Sequence, residues 1–176
     1  TLSLDVQNNK IKDIFTRVLK GHIAVASFKL NKNSYGDRID QSARKFLRDI
    51  NLDYPHGTGH GVGYFSNVHE GPQAISKGNK VKFREGMITS NEPGYYKKNH
   101  FGIRIENLVY VKKTRDKLKF EDLTLVPIDK TLIEKRLLTS FEKNWLNKYH
   151  QKVFNKLKKF MNKFELTQLK QACSNI

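Results

Sequence analysis

The sequence predicts a mixed α/β (α+β) fold that ends in a helical extension, and three observations carry that expectation. Apolar residues recur at helical spacing after Asn9, two strand-like runs follow a glycine- and histidine-rich segment, and the helical period returns beyond Pro127. The composition permits a packed core, because 38% of the 176 residues are hydrophobic and 11% are aromatic. That is too much apolar surface for a disordered chain. Cys173 is the only cysteine, which excludes a disulfide scaffold and fits a reducing compartment, so a cytoplasmic location is expected. No run approaches the roughly 18 apolar residues that a membrane span needs, and no membrane partner is expected.

Basic side chains number 33 against 17 acidic ones, a formal net charge of +16. Phosphate backbones attract such an excess, but its distribution points elsewhere. Residues 130–176 hold eleven basic side chains, ten Lys and Arg136, against three acidic ones, Glu134, Glu142 and Glu165. Half of the excess thus falls in about a quarter of the chain, on what reads as a helix face. No zinc-finger, Gly-rich RNA-binding or aromatic–basic signature accompanies it. The run reads as a solvated face, and nucleic acid is not an expected partner.

Along the chain, Thr1–Leu4 alternates like the tail of a strand. Ile11, Ile14, Phe15, Val18, Leu19, Ile23 and Ala26 form a helical stripe running to about Phe28. A polar loop, 31–36, leads to a shorter stripe (Ile39, Ala43, Phe46, Leu47, Ile50), with Asp40 near its start as a candidate cap. Beyond Pro55 the texture changes: 56–69 holds three of the six histidines and four of the eleven glycines. Glycine at every second position makes a poor helix and a poor strand, so something must lie close against this segment. Strands are predicted over 86–92 and, unbroken, over 102–111, with a turn and loop between them and a charged hairpin tip over 114–119. Thr139–Glu142 fits a capping box. After it, Phe141, Trp145, Tyr149, Val153, Leu157 and Phe160 predict one long apolar face, and Leu166, Leu169 and Ala172 a last short helix.

Chemistry-bearing residues gather at His56, His60, His69, Glu92 and Glu106. Imidazoles and carboxylates are the ligands of Zn, Mn or Co sites. Glu92 precedes Pro93, which holds its backbone extended. Glu106 is predicted mid-strand among apolar residues, where its charge needs a cation, and Arg104 on the same face or a metal could supply one. Blander readings stand beside this one: a histidine in a glycine loop often only bonds backbone, Glu106 could simply pair with Arg104, and Glu92 could be a surface turn residue. The residues by themselves leave a metal or hydrolytic site as the functional expectation.

The string from His56 to Gly63, continued through Val68-His-Glu-Gly-Pro72, resembles the histidine motif of aminopeptidase P (Xaa-Pro aminopeptidase). Ser90–Tyr96 and Phe101–Asn107 resemble that family's two glutamate motifs, in the same order. Phe15–Ala24, Leu123–Ile128 and Trp145–His150 extend the similarity over nearly the whole chain. Prolidase and methionine aminopeptidase share the ligand logic, but the long strings favour aminopeptidase P.

The resemblance implies a pita-bread fold, here incomplete at its N-terminal side. Residues 1–128 would be the C-terminal portion of the catalytic domain and 129–176 a helical extension. It implies two divalent metal ions, manganese foremost and zinc or cobalt otherwise. His60, Glu92 and Glu106 would be ligands, with Glu106 bridging and Arg104 anchoring the carboxylates from behind. His56 and His69 would line the substrate side, with His69 and Glu92 catalytic. The implied substrates are peptides with proline second, and the implied partners are a second copy through the C-terminal region and an upstream segment. Two aspartate ligands of the family have no counterpart, since Asp5 is the only carboxylate before the first helix. The isolated chain is therefore expected to be inactive. The competing expectation is a non-catalytic truncated remnant, or a binding module that uses its basic helical face.

Overall fold

The computed structural model describes residues 8–31, 33–65, 67–115 and 117–176; the expected strand tail Thr1–Leu4, and Asp5, lie outside these. Helix α1 spans Asn9–Ala26 and opens where the Asn8 side chain accepts from the Ile11 N–H at 3.0 Å. Helix α2, Gly36–Arg48, starts four residues before Asp40. Tyr35 stands at its N-cap without a side-chain bond, so Asp40 is not the cap; it is 1% exposed inside the helix. The two helices pack closely, because a Cβ on Gly21 would lie 2.5 Å from the Ala43 carbonyl oxygen.

Among the described residues seven short strands follow: β1 Gly59–His60, β2 Ala74–Ile75, β3 Ile88–Asn91, β4 Gly94–Lys97, β5 Phe101–Arg104, β6 Asn107–Thr114 and β7 Lys117–Asp122. All pairings are antiparallel: β1 with β2, β4 with β5, and β3–β6–β7 as a three-stranded sheet. The expected strand over 102–111 is broken at Ile105-Glu106, so Glu106 lies between strands and not within one. The break has a simple cause. Ile88↔Tyr110, Asn91↔Asn107, Gly94↔Arg104 and Lys97↔Phe101 share one register, so β3–β4 and β5–β6 are the two arms of a single long hairpin. Pro93 interrupts it because proline has no N–H to give the ladder. Carried across the break, the register sets Glu92 opposite Glu106. The charged tip is also tighter than expected, since Thr114 already pairs with Lys117.

Residues Arg17–Thr124 form one compact unit. Its core joins Val25, Leu30, Ile39, Ala43, Ile75, Phe83, Val109, Val111 and Phe120. The second unit contains Leu125–Ile176 and the first turns of α1. Here α3, Ser140–Leu157, begins with the predicted capping box of Thr139 and Glu142. It buries Leu146, Tyr149, His150 and Val153. The Tyr149 hydroxyl donates to the Val126 carbonyl at 2.9 Å, and the Ile128 N–H donates to His150 Nε2 at 3.0 Å. The single long apolar face is not formed. The chain passes into a 3₁₀ turn at Lys158–Phe160 before α4, Lys163–Ala172. Phe141, Phe160 and Phe164 are 61%, 69% and 72% exposed. Among the described residues no helix is long and apolar enough to cross a membrane.

Candidate metal centre

The glycine-rich segment lies under close approach of other backbone. A Cβ on Gly59 would fall 2.0 Å from the Ser90 carbonyl oxygen, and one on Gly61 would fall 2.0 Å from that of Glu70. Only glycine fits at either position, and the fit draws His60 against β3. The Thr89 hydroxyl donates to the His60 carbonyl at 2.9 Å, and the His60 N–H donates to Ser90 Oγ at 2.9 Å.

The approach to His56 is held from α2. Arg44 Nε donates to Asp40 at 2.8 Å, and Nη1 donates to Asp53 at 2.6 Å and to the Tyr54 carbonyl at 2.8 Å. Nη2 donates to the His56 carbonyl, and the guanidinium lies 4.0 Å from the Tyr54 ring centre. Burial opposes the Arg44 charge, but Asp40 and Asp53 hold its pKa above the ordinary value. Asp40 also accepts from the Thr58 hydroxyl at 2.6 Å. This braced loop ends at the first histidine of the motif.

The side chains of Ser90, Glu92, Arg104 and Tyr96 share one face of the hairpin, as the alternation of strand residues requires. Glu92 is 6% exposed. Its Oε1 accepts from Ser90 Oγ at 2.8 Å and lies 3.2 Å from His60 Nε2, while its Oε2 pairs with Arg104 Nη1 at 3.0 Å. Arg104 Nε also donates to the Tyr96 hydroxyl at 2.7 Å. That hydroxyl lies 3.0 Å from His56 Nε2 and is the donor there, because His56 Nδ1 gives its proton to the Gly57 carbonyl at 2.7 Å. The His69 ring packs on His60, centroids 4.1 Å apart.

His60 has a particular electronic arrangement. Its Nδ1 lies 3.0 Å from the Gly61 carbonyl oxygen and is its donor. In the neutral ring this leaves Nε2 as a bare lone pair facing a carboxylate oxygen at 3.2 Å. Two acceptors at that distance require a proton or a cation between them. A ring nitrogen committed to a backbone carbonyl is also the usual posture of a metal-binding histidine. The donor set at this point therefore fits a divalent ion.

The structure links His60 to His69 and to Glu92, links Glu92 to Arg104, and reaches His56 through Tyr96. Glu106 is exposed, its charge felt by Arg104. Among the described residues no three His, Cys, Asp or Glu side chains converge as a metal-holding group. The sequence reading passed over Ser90, Tyr96 and the Arg44–Asp40–Thr58 brace. Ser90 and Tyr96 had a signal in their even spacing from Glu92.

The description of Metallopeptidase family M24 matches residues 1–113, and the C-terminal region of peptidase M24 matches 116–176. The chain belongs to metallopeptidase family M24. Its relatives include a probable Xaa-Pro aminopeptidase P of Coprinopsis cinerea, 49% identical over 81% of this chain and 25% of that protein. Aminopeptidase P2 of Arabidopsis thaliana is 47% identical over 83% of this chain and 22% of its own length. Among solved structures, the X-prolyl aminopeptidase of Caenorhabditis elegans, described as a cytosolic enzyme with a di-nuclear active site, superposes with a TM-score of 0.89. It is 39% identical, over 97% of this chain and 30% of that one. The X-Pro aminopeptidase of Thermotoga maritima has a TM-score of 0.62 at 32% identity, over 72% of this chain and 34% of that one. The chain thus spans about a quarter of the length of the curated relatives it matches. The likeness supports the pita-bread fold with helices at its C-terminal end.

Proposed function

We propose that this chain carries part of the active site of a metal-dependent Xaa-Pro aminopeptidase, which removes an N-terminal residue that precedes proline. The observation that carries this reading is His60 Nε2 set 3.2 Å from Glu92 Oε1, in a chain whose relatives include proteins named as probable Xaa-Pro aminopeptidase P. His60, Glu92 and Glu106 are the proposed ligands of two divalent ions, manganese foremost. Such ions, when bound, acidify a water molecule and polarise the scissile carbonyl. Three donors are fewer than two ions require, so the remainder must come from outside the described residues, and the 176 residues alone are proposed to be inactive.

The chain's own groups then divide the work. Arg104 and the Ser90 hydroxyl fix the Glu92 carboxylate, which takes a proton from the attacking water and returns it to the leaving proline nitrogen. His69, exposed beside His60, faces the substrate and stabilises the tetrahedral intermediate. His56, with its proton committed to Gly57 and its Nε2 to Tyr96, lines the substrate side. Residues 1–128 form the catalytic portion and 129–176 the extension. The exposed Phe141, Phe160 and Phe164 are the proposed contact with a second copy, and a cytoplasmic location agrees with the lone cysteine.

Calorimetric titration with Mn²⁺ tests the centre. Glu92→Gln is expected to weaken binding by about 100-fold, since it removes a ligand and the charge that neutralises the ion. Cleavage of a peptide with proline second is expected only on co-expression with the preceding segment of a full-length relative. Undiminished Mn²⁺ binding by Glu92→Gln would sink the proposal.

A further inference from the structure

We infer that His22 is a positioning residue: its ring replaces the ladder hydrogen bond that Pro93 cannot make, and so sets the spacing of the strand ends that carry Glu92 and Glu106. The inference rests on the reading of those two glutamates as ligands.

In the register of the long hairpin Pro93 stands opposite Ile105. The Ile105 N–H donates to the Pro93 carbonyl at 3.3 Å, so this is a position where two opposed residues normally exchange a pair of bonds. Proline cannot return the second bond, which would leave the Ile105 carbonyl without its ladder donor, next to Glu106. His22 Nδ1 lies 3.2 Å from that oxygen. The ring comes from α1, on the hairpin face opposite Glu92, and is 0% exposed. Burial holds it neutral, with its pKa lowered to about 4, and bonding to the main chain of Ile105 and Asn91 works against that shift. The same residue also grips the other arm, since Asn91 Nδ2 donates to the His22 carbonyl at 3.0 Å. One helix residue is therefore bonded to the residue before Glu92 and to the residue before Glu106. A buried, unsatisfied carbonyl at the break would otherwise favour rearrangement of the two arms.

Three variants separate positioning from mere filling of space. His22→Phe keeps the ring volume without a donor, His22→Asn returns a donor near Nδ1, and Pro93→Ala gives the ladder back its N–H. Without added metal, amide exchange at Ile105 should accelerate in His22→Phe and stay near the parent rate in His22→Asn. It should recover when His22→Phe is combined with Pro93→Ala. Titrated with Co²⁺ and followed by its visible absorption, His22→Phe should bind about 10–100-fold more weakly, and the other two combinations within a few-fold of the parent. Unchanged Ile105 exchange in His22→Phe would overturn the inference whatever the metal result. Parent-like Co²⁺ binding by His22→Phe, where Glu92→Gln abolishes it, overturns the inference but leaves the metal centre standing. Unchanged binding in Glu92→Gln overturns the metal reading instead. Should His22→Phe fail to fold, Pro93→Ala alone decides: the His22 Nδ1–H resonance must shift as a second donor reaches Ile105, and an unmoved resonance counts against the inference.

Discussion

In the unit of residues 17–124 one buried guanidinium gathers several carboxylates and carbonyls; in the unit that holds α3 and α4 buried polar side chains cap a helix or tie α3 to the segment before it. Arg44 joins Asp40, Asp53 and the carbonyls of Tyr54 and His56, and Asp40 reaches on to Thr58. Glu142, by contrast, closes a capping box with Thr139, and His150 accepts the N–H of Ile128, twenty-two residues before it. The first pattern braces loops that have no regular structure of their own. The second closes a helix end that the local sequence already specifies and ties a regular helix to the segment before it. The teaching is that buried charge marks the place where irregular backbone must be held still, which is also where the candidate centre lies.

That contrast can be broken most directly at Arg44. Arg44→Ala leaves Asp40 buried without its cation, and a loss of about 3–5 kcal/mol is expected by urea denaturation. Arg136→Ala, which removes an exposed partner of Glu134, should leave the midpoint unchanged. Equal losses would mean that the brace is no more than another surface pair. A second test lies within α3. Leu146 is 0% exposed and Phe141 is 61% exposed, so Leu146→Ala should cost about 2–5 kcal/mol while Phe141→Ala costs little at a dilution that suppresses association. Comparable losses would restore the single-face reading of the helix.

The smallest effect is one that both units share. Burial lowers the pKa of His22 and of His150 to about 4 from the ordinary 6.5, with the Lys130 charge adding to the effect at His150. As pH falls the unfolded chain binds these protons first, so the stability is complete above 6.5 and drains away as pH drops toward 4. Between pH 7 and pH 5 each ring should cost about 2 kcal/mol, read as a falling melting temperature. A flat profile over that range would show that the rings are not held neutral.

Much of the candidate site was legible because its motifs are local strings. Gly59 and Gly61 announced a close approach, and Glu92 before Pro93 announced an extended carboxylate at a turn. The capping box at Thr139 was legible for the same reason, since its bonds span three residues. The unbroken strand over 102–111 was a misreading with a physical origin. Alternation describes each arm of the hairpin, but the break at Ile105-Glu106 is imposed by Pro93 on the opposite arm, and no pattern within 102–111 can register it. Asp40 was misread as a cap because its partners, Arg44 and Thr58, stand four and eighteen residues away.

The sequence by itself determined the mixed composition, the order of helices and strands, the family-specific strings and the ends of α3, all of which depend on neighbours within a few residues. The tertiary structure decided which of those residues meet. It set Glu92 opposite Glu106 by register and aimed Nε2 of His60 at Glu92. It brought His22 from the first helix to a carbonyl eighty-three residues away, and it turned Phe141, Phe160 and Phe164 outward. Local propensity is additive along the chain. The meeting of a ring nitrogen with a carboxylate, or the loss of a ladder donor, is a property of two segments at once, and it exists only when both are folded.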